Sequence, residues 1–342
     1  MTAVAMSGGV DSSVAAALLV EEGCLCMGIT LKTYGSTSSE NDARQTAENL
    51  SIPYRALDLS EAFRNHVILP FIEAYEEGVT PNPCIVCNKY IKFGLLLSSA
   101  RELGCSCLAT GHYAQVCKSG SRWLLKKALD AEKDQSYVLY CLTQESLSSA
   151  KFPLGLLTKD KVREIARERN FHNAEKKDSQ DICFVPGGNY RAFMEAYRGR
   201  PYPEGNILDL QGNIIGRHKG HIRYTLGQRR GLGVAANTPV YVTAKNAAFN
   251  TVTLGPESAL YSKALTADKI NLIACESIET PLKVKVKTRY LKEESSACVV
   301  QTSSDEIRVE FDEPQRAVTP GQAAVFYDGD IVVGGGTIKQ AF

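Results

Sequence analysis

An α/β catalytic unit followed by two small all-β modules is the architecture this sequence predicts, and three observations carry it. Short apolar runs alternate with amphipathic helical patterns over roughly the first 200 residues, the signature of βαβ units around a mostly parallel sheet. After that point helical periodicity stops, and Val, Ile and Thr rise in short runs punctuated by Gly and Pro. The opening stretch MSGGVDSSVAAAL (residues 6–18) places a polar, glycine-rich turn between the first apolar run and the first helical pattern.

Strands are expected at Ala3–Met6, Cys26–Leu31, Tyr54–Asp58 and Cys107–Thr110, and helices at Ser12–Glu22, Asp42–Leu50, Ser60–Glu77 and Asn88–Leu103. Gly23, Gly78 and Gly104 follow three of those helices, where a left-handed residue ends a helix well. YGSTSSEN (34–41) is a short low-complexity loop, and Trp123 with Leu124 and Leu125 reads as core. In the second half, GNILDLQGNIIG (205–216), LKVKVKTRYLK (282–292) and the run 297–338 read as hairpin-linked strands, the last module as a β-barrel. The expected units are 1–198, 199–264 and 265–342.

The chain has 342 residues, 44% of them apolar and 23% charged, with a net charge of +1. That balance excludes a general polyanion binder, so any nucleic-acid contact must come from local basic clusters. No uncharged apolar run reaches the length of a membrane span, and no basic segment followed by an apolar stretch marks export, so a cytoplasmic protein without a membrane partner is expected. Eleven cysteines in such a chain read as reduced thiols. Cys24, Cys26, Cys105, Cys107, Cys117, Cys141, Cys275 and Cys298 fall in apolar or strand-like stretches and read as core. His66, His172, His218 and His221 lack metal-ligand spacing.

The turn Ser7-Gly8-Gly9 leads into a helix begun by Val10 and Asp11. Glycine lets backbone N–H groups approach an anion, the helix N-terminus adds partial positive charge, and Ser12 and Ser13 offer hydroxyls. This is a phosphate cradle without the Lys-Ser/Thr ending of a P-loop. Ser-Gly-Gly-x-Asp-Ser after the first strand resembles the pyrophosphate loop of the N-type ATP pyrophosphatases. That resemblance implies ATP cleaved between its α- and β-phosphates, with Asp11 ordering the loop and the Mg²⁺–pyrophosphate.

TPNPCIVCNKYIKFG (80–94) sets two prolines before Cys84-x-x-Cys87, with a helix expected to begin near Asn88. A helix N-terminus lowers a thiol pKa, so reactive thiolates are expected there. ATGHYAQV (109–116) is a strand ending in glycine, and KKDSQDICFVPGGNYRAF (176–193) carries Cys183. With ALDAEKDQSYVLY (128–140) and HIRYTLGQRRGLG (221–233), these stretches resemble the bacterial tRNA-specific 2-thiouridylases over essentially the whole chain.

The resemblance implies adenylation of O2 of the wobble uridine of Lys, Glu and Gln tRNAs, then replacement of that oxygen by sulfur. Ala5, Met6, Ser7, Gly8, Gly9, Val10, Asp11 and Ser12 would hold ATP, with Leu31 and Gly111 flanking the adenosine. Asn82, Pro83 and Cys84 would face the base, Cys87 would be the nucleophile, and Cys183 would carry the sulfur as a persulfide. Lys133, Asp134, Gln135, His112, Arg289, Tyr290 and Gln322 would contact tRNA, and a cysteine desulfurase or sulfur-relay protein would supply sulfur. Two positions depart from the family pattern. Cys84 stands where many members carry Asp, and Leu31-Lys32-Thr33-Tyr34 replaces the usual Met-Lys-Asn-Trp.

Three thiolates at Cys84, Cys87 and Cys183 would suit a [4Fe–4S] cluster with one open iron. A persulfide cycle without a cluster, and zinc, are the alternatives. Lys283, Lys285, Lys287 and Arg289 alternate with Val284, Val286 and Thr288 in a basic stripe, readable as a phosphate-backbone footprint or as an edge-strand guard. Residues 216–231 form a second basic cluster. A ligase for a small molecule, or a cysteine-based metal or redox protein, would leave these clusters or the phosphate loop unused.

Overall fold

The computed structural model describes residues 1–33, 38–176 and 181–342. Residues 34–37 of the low-complexity loop and 177–180 of the Cys183 segment lie outside the described residues.

Strands β1 (Thr2–Ala5), β2 (Cys26–Lys32), β3 (Tyr54–Asp58) and β4 (Cys107–Ala109) pair in parallel. A hairpin of β5 (Gln115–Ser119) and β6 (Arg122–Lys126) follows, and the short β7 (Ala150–Lys151) completes a sheet in the order β3-β2-β1-β4-β7. All four expected parallel strands are present within one or two residues. Ala3, Val4, Ile29 and Leu108 are completely buried, as in a parallel sheet covered on both faces. The order reverses at β1, whose neighbours β2 and β4 lead the chain away on opposite sides. The turn leaving β1 therefore opens into the crevice where α/β sheets bind ligands.

Helices α1 (Val10–Glu21) and α2 (Ser38–Asn49) flank the sheet, and longer helices cover 60–76 (α3) and 83–102 (α4). Gly23, Gly78 and Gly104 are left-handed, with φ of +74°, +82° and +81°. In α3 the turn Arg64–Ile68 is π-helical just ahead of Pro70, which has no N–H to return to the preceding turn. α4 starts at Pro83, five residues earlier than the expected Asn88. The reason is local: the Asn82 side chain accepts the Cys84 N–H at 3.1 Å, and Pro83 takes the first helical position.

The second half is all β, as expected. β8 (Gly205–Leu208), β9 (Ile214–His218), β10 (Tyr241–Asn246) and β11 (Thr251–Gly255) form a four-stranded sheet over Ile207, Tyr224, Val242 and Val252. Next come β12 (Tyr261–Leu272), β13 (Leu282–Lys287), β14 (Ser295–Gln301), β15 (Glu306–Arg316), β16 (Ala323–Asp328) and β17 (Ile331–Ala341). Their order β12-β15-β14-β13-β16-β17 closes by pairing β17 with β12, a six-stranded barrel. Since β13 pairs with β14 and β16, it is not an edge, and the edge-guard reading of its lysines is excluded. Lys283 and Lys285 are exposed on it, whereas Arg289 lies beyond the strand end and turns inward.

The barrel is not a detached appendage. One apolar core runs from Ala3, Ile29 and Leu108 through Leu125 and Tyr137 to Val325, Tyr327 and Val332. The Tyr137 hydroxyl donates to the Ala323 carbonyl at 2.9 Å, and β6 touches β17 at Lys126–Ile331. Trp123 is half-buried and packs on the rim of this core. Of the cysteines read as core, Cys26, Cys105 and Cys141 are buried, Cys24, Cys107, Cys275 and Cys298 are half-buried, and Cys117 is exposed on the β5–β6 hairpin. No described helix is long and apolar enough to cross a membrane.

Candidate active site

The phosphate end is built by β1, α1 and two lysines from far along the chain. Gly8 has φ of +71°, a conformation that costs other residues dearly. The α1 N-cap is Gly9, and no side chain caps it, so the first-turn N–H groups face an incoming anion. The serines behave differently from the expected outward donors. Ser12 Oγ donates to the Gly9 carbonyl at 3.0 Å and accepts from the Ser7 N–H at 3.2 Å, while fully buried Ser13 donates to the same carbonyl at 3.1 Å. They brace the loop from inside. Met6 and Val10 are buried side chains, and Ala5 is partly so, which leaves this stretch its backbone to offer.

Asp11, expected to order the loop, is itself held by two partners from later in the chain. Its Oδ1 accepts from the Tyr113 hydroxyl at 2.9 Å, and Lys159 Nζ reaches Oδ1 and Oδ2 at 2.7 and 2.9 Å. Lys176 Nζ donates to the Gly8 carbonyl at 3.3 Å and to Asp42 at 2.8 Å, which holds the Asp42 carboxyl below its usual range. Asn173 Nδ2 adds bonds to Gly8 O and Ser13 Oγ. Lys159, Asn173 and Lys176 escape sequence reasoning, because nothing near the motif points to them. One signal was available: Lys159 opens the helix Lys159–Glu168 behind a Thr158 cap, against the helix dipole, where a lysine needs another partner.

Gly111 connects this end to the next. A Cβ there would lie 2.8 Å from backbone atoms of Asp11 and Ser12, so only glycine lets the turn after β4 seat on α1. Leu31, half-buried at the end of β2, packs on the cores beneath both ends.

The thiol end gathers two segments, the start of α4 and the stretch around Cys183. Cys84 is exposed, Cys87 is half-buried one turn further into α4, and Cys183 is exposed. Phe184 delivers Cys183 by packing edge-on to Phe63 and Phe71 in the cluster that also receives Cys87. Desolvation pushes all three thiols up, Cys87 to about 11, where the neighbouring Cys183 and Cys84 raise it further. The expectation of thiolates lowered by the helix N-terminus is therefore reversed at Cys84 and Cys87, where desolvation of the sulfur outweighs the helix end. Lys92 works against that burial at each of them. It does so because Cys87–Leu96 is π-helical, and i→i+5 winding brings residue 92 over residue 87.

Lys92 Nζ lies 3.2 Å from His112 Nε2, and His112 Nδ1 lies 2.6 Å from Thr110 Oγ1. An ammonium can only donate, so Nε2 accepts and Nδ1 carries the ring proton toward Thr110. Burial and the adjacent Lys92 charge hold His112 neutral, well below the usual imidazole range. Both ring nitrogens of this expected tRNA contact are thus engaged inside the protein.

Asp134, Gln135, Arg289 and Gln322 share that character. Asp134 is buried and accepts from Ala128 N, Ser136 N and Ser136 Oγ. Gln135 Oε1 accepts the Tyr113 N–H at 3.0 Å, Tyr290 packs on Tyr137, and Lys133 is partly exposed. Arg289 Nη2 donates to Leu226 O, Ala317 O and Thr319 Oγ1, and Gln322 Nε2 donates to Thr80 O at 2.9 Å. Among the described residues, no three His, Cys, Asp or Glu side chains are grouped closely enough to hold a metal ion. As placed, then, Cys84, Cys87 and Cys183 are not a ligand set for a cluster or for zinc.

A family model described as a tRNA methyl transferase HUP domain matches residues 1–187. A tRNA methyl transferase PRC-barrel domain matches 191–256, and an aminomethyltransferase beta-barrel domain matches 262–338. The chain is 46% identical to the tRNA-specific 2-thiouridylase MnmA of Acetivibrio thermocellus, over 98% of both chains. It is 47% identical to the protein of that name from Halothermothrix orenii, over 99% of both. The solved NMN synthetase of Francisella tularensis aligns with a TM-score of 0.36 at 16% identity, over 58% of this chain and 77% of that one, too slight a likeness to inform the site.

Proposed function

The chain belongs to the family of tRNA-specific 2-thiouridylases, and from that premise we propose how its own residues divide the work. It is an ATP-dependent tRNA-uridine 2-sulfurtransferase. One observation carries the division: Gly111 seats on the phosphate helix, its neighbour His112 holds Lys92, and Lys92 faces the thiols, so the two chemistries share one cleft.

In this reading the first-turn N–H groups of α1 cradle the β- and γ-phosphates of ATP, with Lys159 and Lys176 beside them. Leu31 and Gly111 flank the adenosine. A single carboxylate with phosphates is an ordinary setting for Mg²⁺, and Asp11 is the residue that would hold it there, neutralising pyrophosphate charge. Wobble-uridine O2 attacks the α-phosphorus, and pyrophosphate leaves. The terminal sulfur of a Cys183 persulfide attacks C2, and AMP leaves with the oxygen. Cys87, its proton lost with help from the Lys92 charge, attacks the Cys183 sulfur; the S–S bond to the base breaks, releasing 2-thiouridine and leaving a Cys87–Cys183 disulfide for an external thiol to reduce. Asn82, Pro83 and Cys84 face the base.

A cysteine desulfurase or relay protein would load Cys183, whose exposure admits one, in the cytoplasm. The three thiols have the soft chemistry an iron–sulfur cluster takes, but their placement does not form its ligand set. Exposed Lys283, Lys285, Arg217, Lys219, Arg229 and Arg230, with Lys133, supply the phosphate-backbone footprint. The units 1–198, 199–264 and 265–342 would serve as catalytic domain, central tRNA-contacting domain and barrel. A ligase for a small molecule would need neither basic cluster nor Cys183. Mass spectrometry of wobble nucleosides from Lys, Glu and Gln tRNAs in cells lacking the protein should show 2-thiouridine gone; undiminished 2-thiouridine would refute the assignment.

A further inference from the structure

Residues 288–294 join β13 to β14, and the Lys292 N–H closes them into a turn by donating to Arg289 O at 3.2 Å. Tyr290 and Leu291 take the two corner positions, where Gly, Asn, Asp and Pro are the usual choices. Tyr290 fixes the turn beside the thiols. Its ring packs on Tyr137, with 6.0 Å between centroids, on the core that Ile85 also joins from between Cys84 and Cys87. Burial pushes its hydroxyl up to about 12, and Asp134 and Cys84 are near enough to push the same way.

Most other side chains of the turn are tied down. Thr288 is buried, Arg289 Nη2 donates to Ala317 O at 2.9 Å, Lys292 Nζ donates to Gln315 Oε1 at 2.7 Å, and Glu294 pairs with Lys127 at 2.7 Å. Only Leu291 and Glu293 are exposed. Leu291 is 91% exposed, more than any other large apolar side chain among the described residues. A lone leucine on an open surface calls for no explanation. This one tips a braced turn beside the thiol end, and the Glu293 carboxylate two residues on repels phosphate. Such a tip suits an apolar contact with the flat face of a base.

We propose that Leu291 is a wedge that fills the gap left in the anticodon stack when the wobble uridine enters the thiol cleft. Sulfur transfer at C2 needs the base out of its stack, because Cys87 is half-buried in that cleft. The next base of the anticodon then loses its stacking partner, and an apolar side chain laid on that face holds the open state. A leucine on a braced turn does so at small entropic cost, since only its own rotamers remain to be fixed. The inference rests on reading Asn82–Cys84 as the base-facing segment.

The test is tRNA binding over a range of salt concentrations, with single-turnover thiolation beside it, for Leu291→Ala, Leu291→Phe and the wild type. In Leu291→Ala the Kd should rise roughly tenfold, both for whole tRNA and for an isolated anticodon stem-loop, and kcat/KM should fall as far. The slope of log Kd against log salt should stay unchanged, because no phosphate contact is lost. Leu291→Phe should restore affinity, since a larger flat group stacks at least as well. An unchanged Kd in Leu291→Ala overturns the proposal, as does a reduced salt slope or a Phe variant no better than Ala. A deficit seen with whole tRNA but not with the stem-loop does the same. Failure of the thiolation assignment looks different: wild-type protein that makes no 2-thiouridine. The binding measurements need no turnover and decide the wedge either way.

Discussion

The phosphate end and the thiol end of the cleft are assembled in opposite ways. At the phosphate end, the atoms that would meet the phosphates in the proposed function are backbone N–H groups of a single turn, Ser7 to Ser12, whose conformation follows from two glycines and a helix start. At the thiol end, three cysteines come from two segments, Cys84 and Cys87 on one helix and Cys183 about a hundred residues later, set by Phe184, by a π-helical turn under Lys92, and by a barrel turn at Gln322. A site made of backbone is legible as a motif. A site made of side chains from several segments inherits its chemistry from packing, and here packing raises the thiol pKa values that the helix N-terminus alone would lower.

The sharpest way to separate the two ends is Cys183→Ser. Thiolation should fall by more than about 10³-fold, while a single equivalent of pyrophosphate is still released per bound tRNA, because adenylation uses only the phosphate end. A parallel loss of pyrophosphate release would mean that the ends are not independent.

Asp11→Ala strikes the other end, and should lower pyrophosphate release by on the order of 10²–10³-fold. It should also cost stability, about 1–3 kcal/mol, since buried Lys159 loses its carboxylate. Adding Lys159→Met should recover the melting temperature without the activity. If the double variant is no more stable than Asp11→Ala, the ion pair is not what Asp11 contributes to the fold.

The smallest effect is expected at the seam between the catalytic and central units. Lys245 Nζ is buried without a hydrogen-bond partner, 6.0 Å from the Tyr75 ring centre, and burial pushes its ammonium down to about 8. The folded value lies below the ordinary 10.5, so between pH 8 and 10.5 the unfolded chain binds more protons and stability rises with pH. Below pH 8 the cost of the buried charge is present in full. Lys245→Met should raise the melting temperature by roughly 2 °C or more at pH 7 and flatten the rise between pH 8 and 10.5. A variant that melts lower would show that the stem and ammonium stabilise the seam.

By itself the sequence determined the periodic part of the protein: four parallel strands around β1, helices closed by Gly23, Gly78 and Gly104, the phosphate turn, and the change to β structure in the second half. These follow from local rules, alternation and helical spacing for burial and glycine for left-handed backbone, and such rules act within a few residues. The tertiary structure alone decided what distance in the chain conceals. It committed Asp11 to Lys159, turned Ser12 and Ser13 inward, started α4 early enough to take in both cysteines, and placed Lys92 and neutral His112 behind them. It also took Arg289 off the basic stripe and closed the barrel that makes β13 interior to a sheet. Each of these depends on which surfaces meet, and a lysine that will be buried opposite a carboxylate reads, in one dimension, like any lysine facing water.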